Sequence, residues 1–368
     1  MASDEQYMDE ALALAGRGCG FVSPNPMVGA LVVKDDVVLG RGWHKDYGGP
    51  HAEVFALQEA GERARGATLY CTLEPCNHTG KTPPCSQAVI RAGISRVVLG
   101  ALDTNPVAGG GVSTLRSAGI EVLTGIREHE CRPINAAFFK HIKTGLPLVS
   151  LKWAMSADGK TATRTGDSKW ITCAESREAG HRLRAAHDAV LVGINTLVAD
   201  GARLTCRLPA GSDPVRQPRR IILDSQARTP RDAPLWNEPG GGPIIIMTGE
   251  TAPAERRKSL EAAGAEVIAL GGTRPKISDV LNHLGARRIQ SVLVEGGSNV
   301  LGSFIDSRLV DQIYVFVAPR IIGGAAALPA VGGEGIDKLT TALDCDSLRA
   351  EPSGKDVRLH ARCGEWKW

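Results

Sequence analysis

The sequence lacks the features of a secreted or membrane-inserted chain. Residues 1–5 show no basic segment leading into an apolar one, and no apolar stretch reaches the roughly 18 residues of a transmembrane helix. The nine cysteines are odd in number and form no disulfide ladder, which is typical of a reducing compartment. These absences predict a cytoplasmic protein without a membrane partner.

Long runs of like charge and internal repeats are also missing. The formal net charge is +3 with no long basic run, so we expect no nucleic-acid partner. The G-x-G-x-x-G fingerprint of common dinucleotide-binding domains is absent. What is present is ordinary: 43% apolar and 23% charged residues in a chain of 368, which is enough for two domains with a core each.

One ordered set of metal-binding residue types stands out in the first half. His51 is followed by Glu53 two residues later, then by Cys76 after a proline, then by Cys85. One imidazole and two thiols suit a tetrahedral zinc whose fourth position is left to water. The pattern is typical of zinc nucleobase deaminases. The alternatives are unrelated buried cysteines or a structural zinc site, although a structural site usually has four protein ligands.

This set of residues predicts a hydrolytic deamination. Zinc lowers the pKa of a bound water to about 7, so a hydroxide is available at neutral pH to attack a ring carbon that bears an amine. Glu53 is expected to take the proton of that water and to pass it to the ring nitrogen and then to the departing ammonia.

The pattern of the first half predicts a layered α/β sheet. Ser3 and Gln6 form a capping box at the start of the first helix, and two apolar strands then form a hairpin. A helix is predicted over 52–64, and the last helix carries Ile134 and Phe138 on one face. The order β-β-α-β-α-β places both zinc-bearing segments at helix N-termini.

A boundary is predicted at residues 144–147, which gives domains over 1–146 and 147–368. In the second domain short apolar strands alternate with helices, which predicts a largely parallel sheet. Two late strands over 312–317 and 356–361 suggest an antiparallel edge.

The clearest chemical feature of the second half is Glu295-Gly296-Gly297, which ends a strand and opens a helix. Bare backbone amides at a helix start can hold a phosphate. Two glycines after a strand can also be no more than a tight turn. The residues alone leave both interpretations open.

From end to end the chain resembles the bifunctional deaminase–reductases of riboflavin biosynthesis. The resemblance is carried by residues 24–29, 50–54 and 74–85 in the first half and by 151–160, 170–172, 223–225 and 295–297 in the second. It implies an α/β protein in which a three-layer, cytidine-deaminase-like domain precedes a dihydrofolate-reductase-like domain that uses NADPH.

The same resemblance implies two consecutive reactions on one phosphorylated pyrimidine metabolite. The first removes an amine from a diaminopyrimidinone that carries a phosphoribosylamino group. The second reduces the ribosyl group with NADPH to the ribitylamino product. A homo-oligomer formed through the reductase domain is also expected.

For the deaminase domain, the resemblance suggests four substrate contacts. Eight residues separate the two cysteine ligands, where the general pattern has Cys-x-x-Cys. In similar enzymes the matching positions hold a ribosyl phosphate, for which the candidates here are His78 and Lys81, or line the pyrimidine pocket, for which they are Asn25 and His44. Alternatively the loop is simply solvated, Asn25 caps a turn, and His44 is a satisfied core residue.

For the reductase domain, the matching positions fall into two sets. The predicted NADPH contacts are Ala154 (through its backbone), Trp170, Thr196, Asp200, Ser225 and, in the loop 297–303, Gly297, Ser298, Asn299 and Ser303. The predicted substrate contacts are Ser168, Arg184, Leu204, Arg207 and Glu295.

Physically, Arg184 and Arg207 suit a phosphate, and Glu295 suits a ribose hydroxyl or a protonation step. The alternative for both arginines is ordinary surface ion pairing. The chain departs from the family at Gly201-Ala202, where Asp-Pro is common, and we expect a looser loop there.

Two other functions fit parts of the sequence. A tRNA adenosine deaminase would share the zinc set but should show a basic stripe, and it has no use for a reductase-like partner. A zinc-stabilised metabolite-binding module with inactive sites would have no need of Glu53.

Overall fold

The chain folds as two units of α/β structure. The computed structural model describes residues 2–80, 83–212, 215–364 and 366. The first unit ends at Gly145 and the second begins at Leu146. Each unit has its own sheet and its own hydrophobic core.

The described residues of the first unit form five strands and six α-helices. In chain order they are α1 (Asp4–Gly16), β1 (Gly29–Lys34), β2 (Val37–Trp43), α2 (Ala52–Ala60), β3 (Thr68–Leu73), α3 (Cys85–Arg91), β4 (Arg96–Ala101), α4 (Gly111–Ser117), β5 (Glu121–Thr124), α5 (Glu128–Ile134) and α6 (Ala136–Thr144). The sheet order is β2-β1-β3-β4-β5. β1 pairs antiparallel with β2 and β3, whereas β3, β4 and β5 run parallel.

Glycines in the hairpin let α2 lie directly on the sheet. A Cβ on Gly42 would be 2.0 Å from the carbonyl oxygen of Ala52, and one on Gly40 would be 2.1 Å from that of Ala56. Real Cβ contacts never come this close, so any larger residue would push the helix away. The start of α2, which follows His51, therefore has its position fixed by two missing side chains.

The predicted start of the first helix is confirmed, whereas two other predicted helices have the wrong extent. Ser3 and Gln6 form the predicted capping box. The helix predicted over 52–64 ends at Ala60, because Gly61 has a φ of +58°, and a short 3₁₀ turn completes the segment. The last predicted helix is two helices, since α5 ends at Ile134 and α6 begins at Ala136.

In the part of the second unit that the structure describes there are eleven strands and five α-helices. They are β6 (Leu148–Ser156), β7 (Lys160–Ala162), α7 (Ala174–Ala186), β8 (Ala189–Gly193), α8 (Ile194–Asp200), β9 (Arg219–Leu223), β10 (Ile244–Gly249), α9 (Ala254–Ala262), β11 (Glu266–Leu270), α10 (Ile277–Ala286), β12 (Ser291–Val294), α11 (Ser298–Asp306), β13 (Gln312–Ala318), β14 (Leu328–Pro329), β15 (Cys345–Ser353) and β16 (Asp356–Cys363).

Nine of these strands form one sheet in the order β11-β10-β9-β8-β12-β6-β13-β16-β15. The seven strands from β11 to β13 run parallel, and β16 and β15 add an antiparallel edge. Of the two late strands predicted for this edge, β16 belongs to it, whereas β13 is parallel to β6 and antiparallel only to β16. Alternate residues of β8 belong to two different hydrophobic cores. Leu191 is in a core with residues of α10 and α11, and Val190 is in a core with residues of α8 and α9. The parallel, two-faced sheet explains why its strands are short apolar runs rather than alternating ones.

A chain of polar side chains crosses this sheet inside the core. His187 Nδ1 donates to the carbonyl oxygen of Leu183 at 2.7 Å, and Ser150 Oγ donates to His187 Nε2 at 2.8 Å. Gln312 donates to Ser150 at 2.7 Å and accepts from His360 at 3.2 Å. The direction of every bond is consistent with a neutral His187.

Within the described ranges, no helix is both long and apolar enough to cross a membrane.

Candidate active sites

His51, Cys76 and Cys85 come together although they lie on different segments. His51 immediately precedes α2, Cys76 follows β3, and Cys85 is the first residue of α3. His51 Nδ1 is 3.5 Å from Cys76 Sγ and 3.3 Å from Cys85 Sγ, and the three ligand atoms all lie within 4.8 Å of one another.

These separations fit a metal ion. A tetrahedral zinc with bonds of about 2.3 Å to sulfur and about 2.0 Å to nitrogen holds such ligand atoms about 3.5 Å apart. A hydrogen bond from the Cys85 thiol, together with His51, lowers the pKa of Cys76 to about 4, so this thiol readily takes the thiolate form that metals bind. The three side chains supply three ligand atoms, which leaves the fourth position of a tetrahedral site open.

Glu53 lies in the first turn of α2, beside this cluster. Its side chain is buried, and burial together with the Cys76 thiolate raises the pKa of its carboxyl group, against the effect of His51. A carboxyl group with a raised pKa can both take and return a proton near neutral pH. This is the property that the sequence analysis expects of the group beside the metal.

The cluster opens on a cavity of about 260 Å³. Its walls contain Glu53, His51 and Cys76, and also Asn25, His44 and His78 among the predicted substrate contacts. Residues that the sequence analysis did not name as site residues line it as well: Tyr47, Glu74, Asp103, Asn105 and Phe138.

His44 holds Asn25 at the edge of the cavity. Its Nδ1 donates to the carbonyl oxygen of Pro50 at 3.0 Å, so its Nε2 is an acceptor, and the Asn25 amide donates to it at 3.2 Å. The His44 ring also meets the His51 ring edge-on, with centroids 5.2 Å apart. Both nitrogens of His44 are therefore engaged within the protein, and Asn25 keeps its carbonyl oxygen for a ligand.

Asn135 fixes the same segment from the other side. Its side-chain carbonyl accepts from the Met27 amide at 2.7 Å, and its side-chain amide donates to the Met27 carbonyl at 2.8 Å. The sequence analysis missed this residue because it treated 134–142 as one helix. In fact Asn135 lies at the break between α5 and α6, where its side chain is free to reach the loop.

Glu74 ties the strand that precedes Cys76 to the opposite loop. Its two carboxylate oxygens accept from the backbone amides of Val112 at 2.9 Å and Asp103 at 3.1 Å. Asp103 thereby reaches the cavity, where burial raises the pKa of its carboxyl group to about 6. Only the order Glu-Pro-Cys hinted at a role for Glu74, and no local signal points to Asp103.

The loop between the two cysteine ligands has its ends bonded to each other. The Cys85 amide donates to Cys76 Sγ at 3.4 Å, the Ser86 amide donates to the Cys76 carbonyl at 3.2 Å, and Ser86 Oγ donates to Asn77 Oδ1 at 2.7 Å. The Nδ1 atom of His78 is buried and has no hydrogen-bond partner among the described residues. Lys81, the other predicted phosphate contact, lies outside the described residues.

In the second unit, a cradle forms where β8 and β12 end side by side. The chain enters α8 after Gly193 and α11 after Gly297, and the Gly193 amide donates to the Gly296 carbonyl at 3.0 Å. A Cβ on Gly297 would lie 2.9 Å from Thr196 Oγ1. The absent side chain thus leaves room over the first free amides of α11, which suits an anionic group of a cofactor.

The predicted NADPH contacts are placed around this cradle to different extents. Thr196 is in the first turn of α8, Ser298 and Asn299 are in that of α11, and Ser225 follows the neighbouring strand β9. Ala154 lies in β6. Ser303 is a turn further along α11, where its hydroxyl donates to the Asn299 carbonyl at 2.9 Å.

The two remaining contacts flank the end of α8. Trp170 is 61% exposed, with the Arg177 guanidinium 4.8 Å from its ring centroid. The Asp200 carbonyl accepts from Lys169 Nζ at 2.9 Å. Gly201 ends α8 with a φ of +57°, and its amide donates to the Leu197 carbonyl. Instead of simply loosening the loop, the glycine at this position is a left-handed helix cap that other residues adopt poorly.

Glu295 and Arg184, two of the predicted substrate contacts, form a buried ion pair with each other. Arg184 donates to both carboxylate oxygens, at 2.6 and 2.8 Å, and to the Thr205 carbonyl at 2.8 Å. Lys152 Nζ, which the sequence analysis missed, lies 3.8 Å from Glu295. Burial opposes ionisation of Glu295, but Arg184 and Lys152 outweigh it and lower its pKa to about 2.

Lys152 differs from an ordinary surface lysine. Burial lowers the pKa of its ammonium group, although the charge of Glu295 works against this. A Cβ on Gly180 would lie 3.6 Å from Lys152 Nζ. A buried lysine with a lowered pKa releases a proton more easily than one in water. The missed signal is its place in β6, where it is a charged residue in a mostly apolar strand.

Arg207 is exposed, and the imidazole ring of His181 lies beside its backbone. The Arg207 amide donates to His181 Nδ1 at 3.3 Å, while its guanidinium donates to Thr205 Oγ1 at 2.7 Å. Burial and the charges of Arg184 and Arg207 lower the pKa of His181 to about 4, so the ring is neutral with its proton on Nε2. Among the residues that the structure describes, this N–H has no acceptor.

The last two predicted substrate contacts are less involved. Leu204 has a φ of +58° and a side chain that is part of the core under α8, so only its backbone can face a ligand. Ser168 is half-buried in the loop before Trp170.

Comparison with known families agrees with this division. The model of the cytidine and deoxycytidylate deaminase zinc-binding region matches residues 1–101, and that of the RibD C-terminal domain matches residues 147–359. The riboflavin biosynthesis protein RibD of Bacillus amyloliquefaciens is 43% identical over 359 residues, which covers 97% of this chain and 96% of the relative.

Solved structures give the same result. RibD of Acinetobacter baumannii is similar with a TM-score of 0.88 and 37% identity, covering 98% of this chain and 99% of that one. A protein from Thermotoga maritima, described as a diaminohydroxyphosphoribosylaminopyrimidine deaminase/5-amino-6-(5-phosphoribosylamino)uracil reductase, has a TM-score of 0.87, 36% identity and the same coverage.

Proposed function

The chain belongs to the RibD family of bifunctional deaminase–reductases in riboflavin biosynthesis, and we propose that each of its two units carries one of the two reactions. The first unit would act on a diaminopyrimidinone that bears a phosphoribosylamino group, and the second would reduce the ribosyl group of the product. The observation that carries the proposal is the group of His51, Cys76 and Cys85 next to a buried Glu53 at a cavity.

In the first unit, His51, Cys76 and Cys85 would hold zinc, which supplies activation of a water at neutral pH. Glu53 would take one proton of that water and give it to the ring nitrogen, and would then carry the second proton, from the added hydroxyl group, to the leaving amine. Its raised pKa supports both transfers, because the same group must be a base first and an acid afterwards.

The cavity wall would orient the pyrimidine. Asn25, held by His44, offers a carbonyl oxygen to an N–H of the ring, and Asp103 offers a carboxyl group whose pKa is raised to about 6. His78, with its unpartnered nitrogen, would contact the ribosyl phosphate, and Lys81 is the second proposed contact.

In the second unit, the cradle at Gly297 and Thr196 would hold NADPH, which supplies the hydride. Trp170, Ser225, Ala154, Asp200 and the first turn of α11 complete the proposed cofactor contacts. The position fits the general rule that open α/β sheets bind ligands where neighbouring parallel strands send their connections in opposite directions, as β8 and β12 do here.

The substrate of the second unit would lie over the group formed by Glu295, Arg184 and Lys152. Three of the five N–H groups of Arg184 donate to Glu295 and Thr205, so its first role would be to hold the carboxylate in place. Lys152 is the proposed source of the proton that the opened ribose accepts. Arg207 and His181 remain to bind the phosphate.

One assay tests both halves of the proposal. Ammonia release and the loss of NADPH absorbance are followed in the same tube with the phosphoribosyl diaminopyrimidinone as substrate. Ammonia release should precede NADPH consumption. If NADPH were consumed without ammonia release, or if neither occurred with zinc-loaded protein, the proposed order or the proposed substrate would be wrong.

A variant separates the cofactor site from the metal site. Gly297→Val should weaken NADPH binding, measured by fluorescence titration without substrate, and leave ammonia release unchanged, because its side chain would fill the cradle against Thr196. Gly271→Val is the matched control, since a Cβ there meets nothing within 4 Å. Equal NADPH affinity in both variants would place the cofactor elsewhere.

The homo-oligomer through the second unit and the cytoplasmic location stay predictions.

A further inference from the structure

Two cysteines outside both proposed sites face each other at the edge of the large sheet. Cys345 is the first residue of β15 and Cys363 is the last residue of β16, and the two are register partners. Their sulfur atoms are 2.8 Å apart. Neither residue belongs to the metal cluster or to the cofactor and substrate contacts.

The type of pairing favours a covalent bond between them. The Gly364 amide donates to the Asp344 carbonyl at 3.3 Å, which is the flanking hydrogen bond of a non-hydrogen-bonded antiparallel pair. Such pairs have Cα atoms about 4.5 Å apart and the closest side chains in a ladder. Disulfides span Cα separations of about 4.4–6.8 Å, a range that includes pairs of this type.

We propose that Cys345 and Cys363 form a reversible thiol pair that closes to a disulfide when the protein meets a low-molecular-weight disulfide such as oxidised glutathione. It is a modification site that neither the deaminase nor the reductase reaction requires. Its existence does not depend on the proposed function.

The order of the two steps follows from burial. Cys345 is exposed, whereas Cys363 is buried and burial raises the pKa of its thiol. The Cys345 thiolate therefore attacks oxidised glutathione first, forms a mixed disulfide and releases one glutathione thiolate. Cys363, deprotonated in its turn, then attacks the sulfur of Cys345 and releases the second. In total, two protein thiols and one oxidised glutathione give one protein disulfide and two reduced glutathione molecules.

The bond would fasten the least protected strand of the sheet. Every residue of β15 from Cys345 to Pro352 is exposed, and among the strands that the structure describes β16 alone pairs with it. The ladder between them is also irregular between Asp346 and Arg349. A disulfide joining residues 18 positions apart would lower the conformational entropy of the unfolded chain. It would also hold β15 against β16 at the end where the ladder is interrupted.

The test uses the full-length, zinc-loaded protein with oxidised glutathione. Non-reducing peptide mapping by mass spectrometry should find one linked pair, Cys345 with Cys363. The melting temperature of the second unit should rise by about 5 °C or more and return to its starting value after dithiothreitol.

Three variants sharpen the result. Cys363→Ser should stop at glutathione attached to Cys345, Cys345→Ser should remain unmodified at Cys363, and neither should show the rise in melting temperature. Cys19→Ser, in the first unit, should behave as the parent does. A parent protein that keeps glutathione on Cys345, that leaves both thiols free, or that forms the bond without a rise in melting temperature would overturn the proposal.

Discussion

At Glu53, the surroundings of one side chain decide what its carboxyl group can do. The helix that carries it begins at the metal cluster, and burial raises the pKa of the group, so it can exchange a proton near neutral pH. This residue could be predicted from the sequence because a glutamate two residues after a metal-binding histidine is itself part of the zinc deaminase pattern. The sequence could not predict Asp103 or Asn135, which reach the site through contacts between distant segments.

Replacing the carboxyl group by an amide should separate metal binding from catalysis. Glu53→Gln should keep the zinc content of the parent and lower the rate of ammonia release by about 10²–10⁴-fold, because an amide cannot carry the proton. Cys85→Ser should instead lower the zinc content, measured by metal analysis of dialysed protein. Near-parental ammonia release in Glu53→Gln would contradict the proposed proton transfer.

His181 allows a similarly fine test in the second unit. His181→Asn keeps an acceptor close to the position of Nδ1 for the Arg207 amide but removes the N–H at Nε2. If that N–H binds phosphate, the Michaelis constant for the phosphorylated intermediate should rise roughly tenfold or more with little change in kcat. His181→Gln, which places an N–H near the position of Nε2, should recover part of the loss.

Arg207→Ala is the reference for this pair of variants. It should raise the same Michaelis constant by a similar or larger factor, and ammonia release should be unaffected. If Arg207→Ala has the effect and His181→Asn does not, His181 only supports the backbone. If neither has it, the phosphate lies elsewhere in the second unit.

At the scale of elements, a glycine in the strand β2 fixes the position of Glu53 in the first turn of α2. Gly42→Val should move the start of α2, since the new side chain would overlap the Ala52 carbonyl. We expect loss of zinc and of ammonia release together with lower stability, measured by metal content and thermal unfolding. Gly16→Ala, whose Cβ meets nothing within 4 Å, is the control and should leave both unchanged.

The polar chain through the second sheet makes stability depend on pH. Burial lowers the pKa of His187, so the unfolded state binds more protons than the folded state once the pH falls below about 6.5. The contribution of this residue is complete above that pH and is lost as the pH falls through it. The stability of the second unit should therefore decrease from pH 7 towards pH 5.

A variant isolates the contribution of His187 to this slope. His187→Gln should flatten the dependence of unfolding free energy on pH by up to about 1.4 kcal/mol per pH unit, measured by urea unfolding at several pH values. His129→Gln, at an exposed position in the first unit, should not change it. An unchanged slope in His187→Gln would mean that other groups cause the acid sensitivity.

The elements themselves were predictable to different degrees. The parallel strands of the second unit and α7 follow from apolar runs bounded by turn residues, and the fold class is confirmed. β15 escaped the sequence analysis because an edge strand with every residue exposed from Cys345 to Pro352 has no apolar pattern. The end of α2 at Ala60 was missed because it depends on the conformation of one glycine.

At the scale of the whole molecule, each unit closes its own sheet and core, so each should fold without the other. A fragment of residues 146–368 should show a cooperative thermal transition and bind NADPH with the affinity of the full chain. The complementary fragment of residues 1–145 should retain zinc. A second-unit fragment that is molten alone and recovers only with the first unit present would contradict independent folding.

The loop between Cys76 and Cys85 has a consequence for how such enzymes change their substrates. Three hydrogen bonds join its two ends, and two of them involve only Cys76, Cys85 and Ser86, so they do not depend on what the loop contains. Lengthening a loop whose ends are already fixed costs little, about 0.6 kcal/mol for each doubling. A deaminase built this way can exchange the loop, by mutation or by grafting, and acquire a new leaving-group environment or phosphate contact while its metal affinity stays the same.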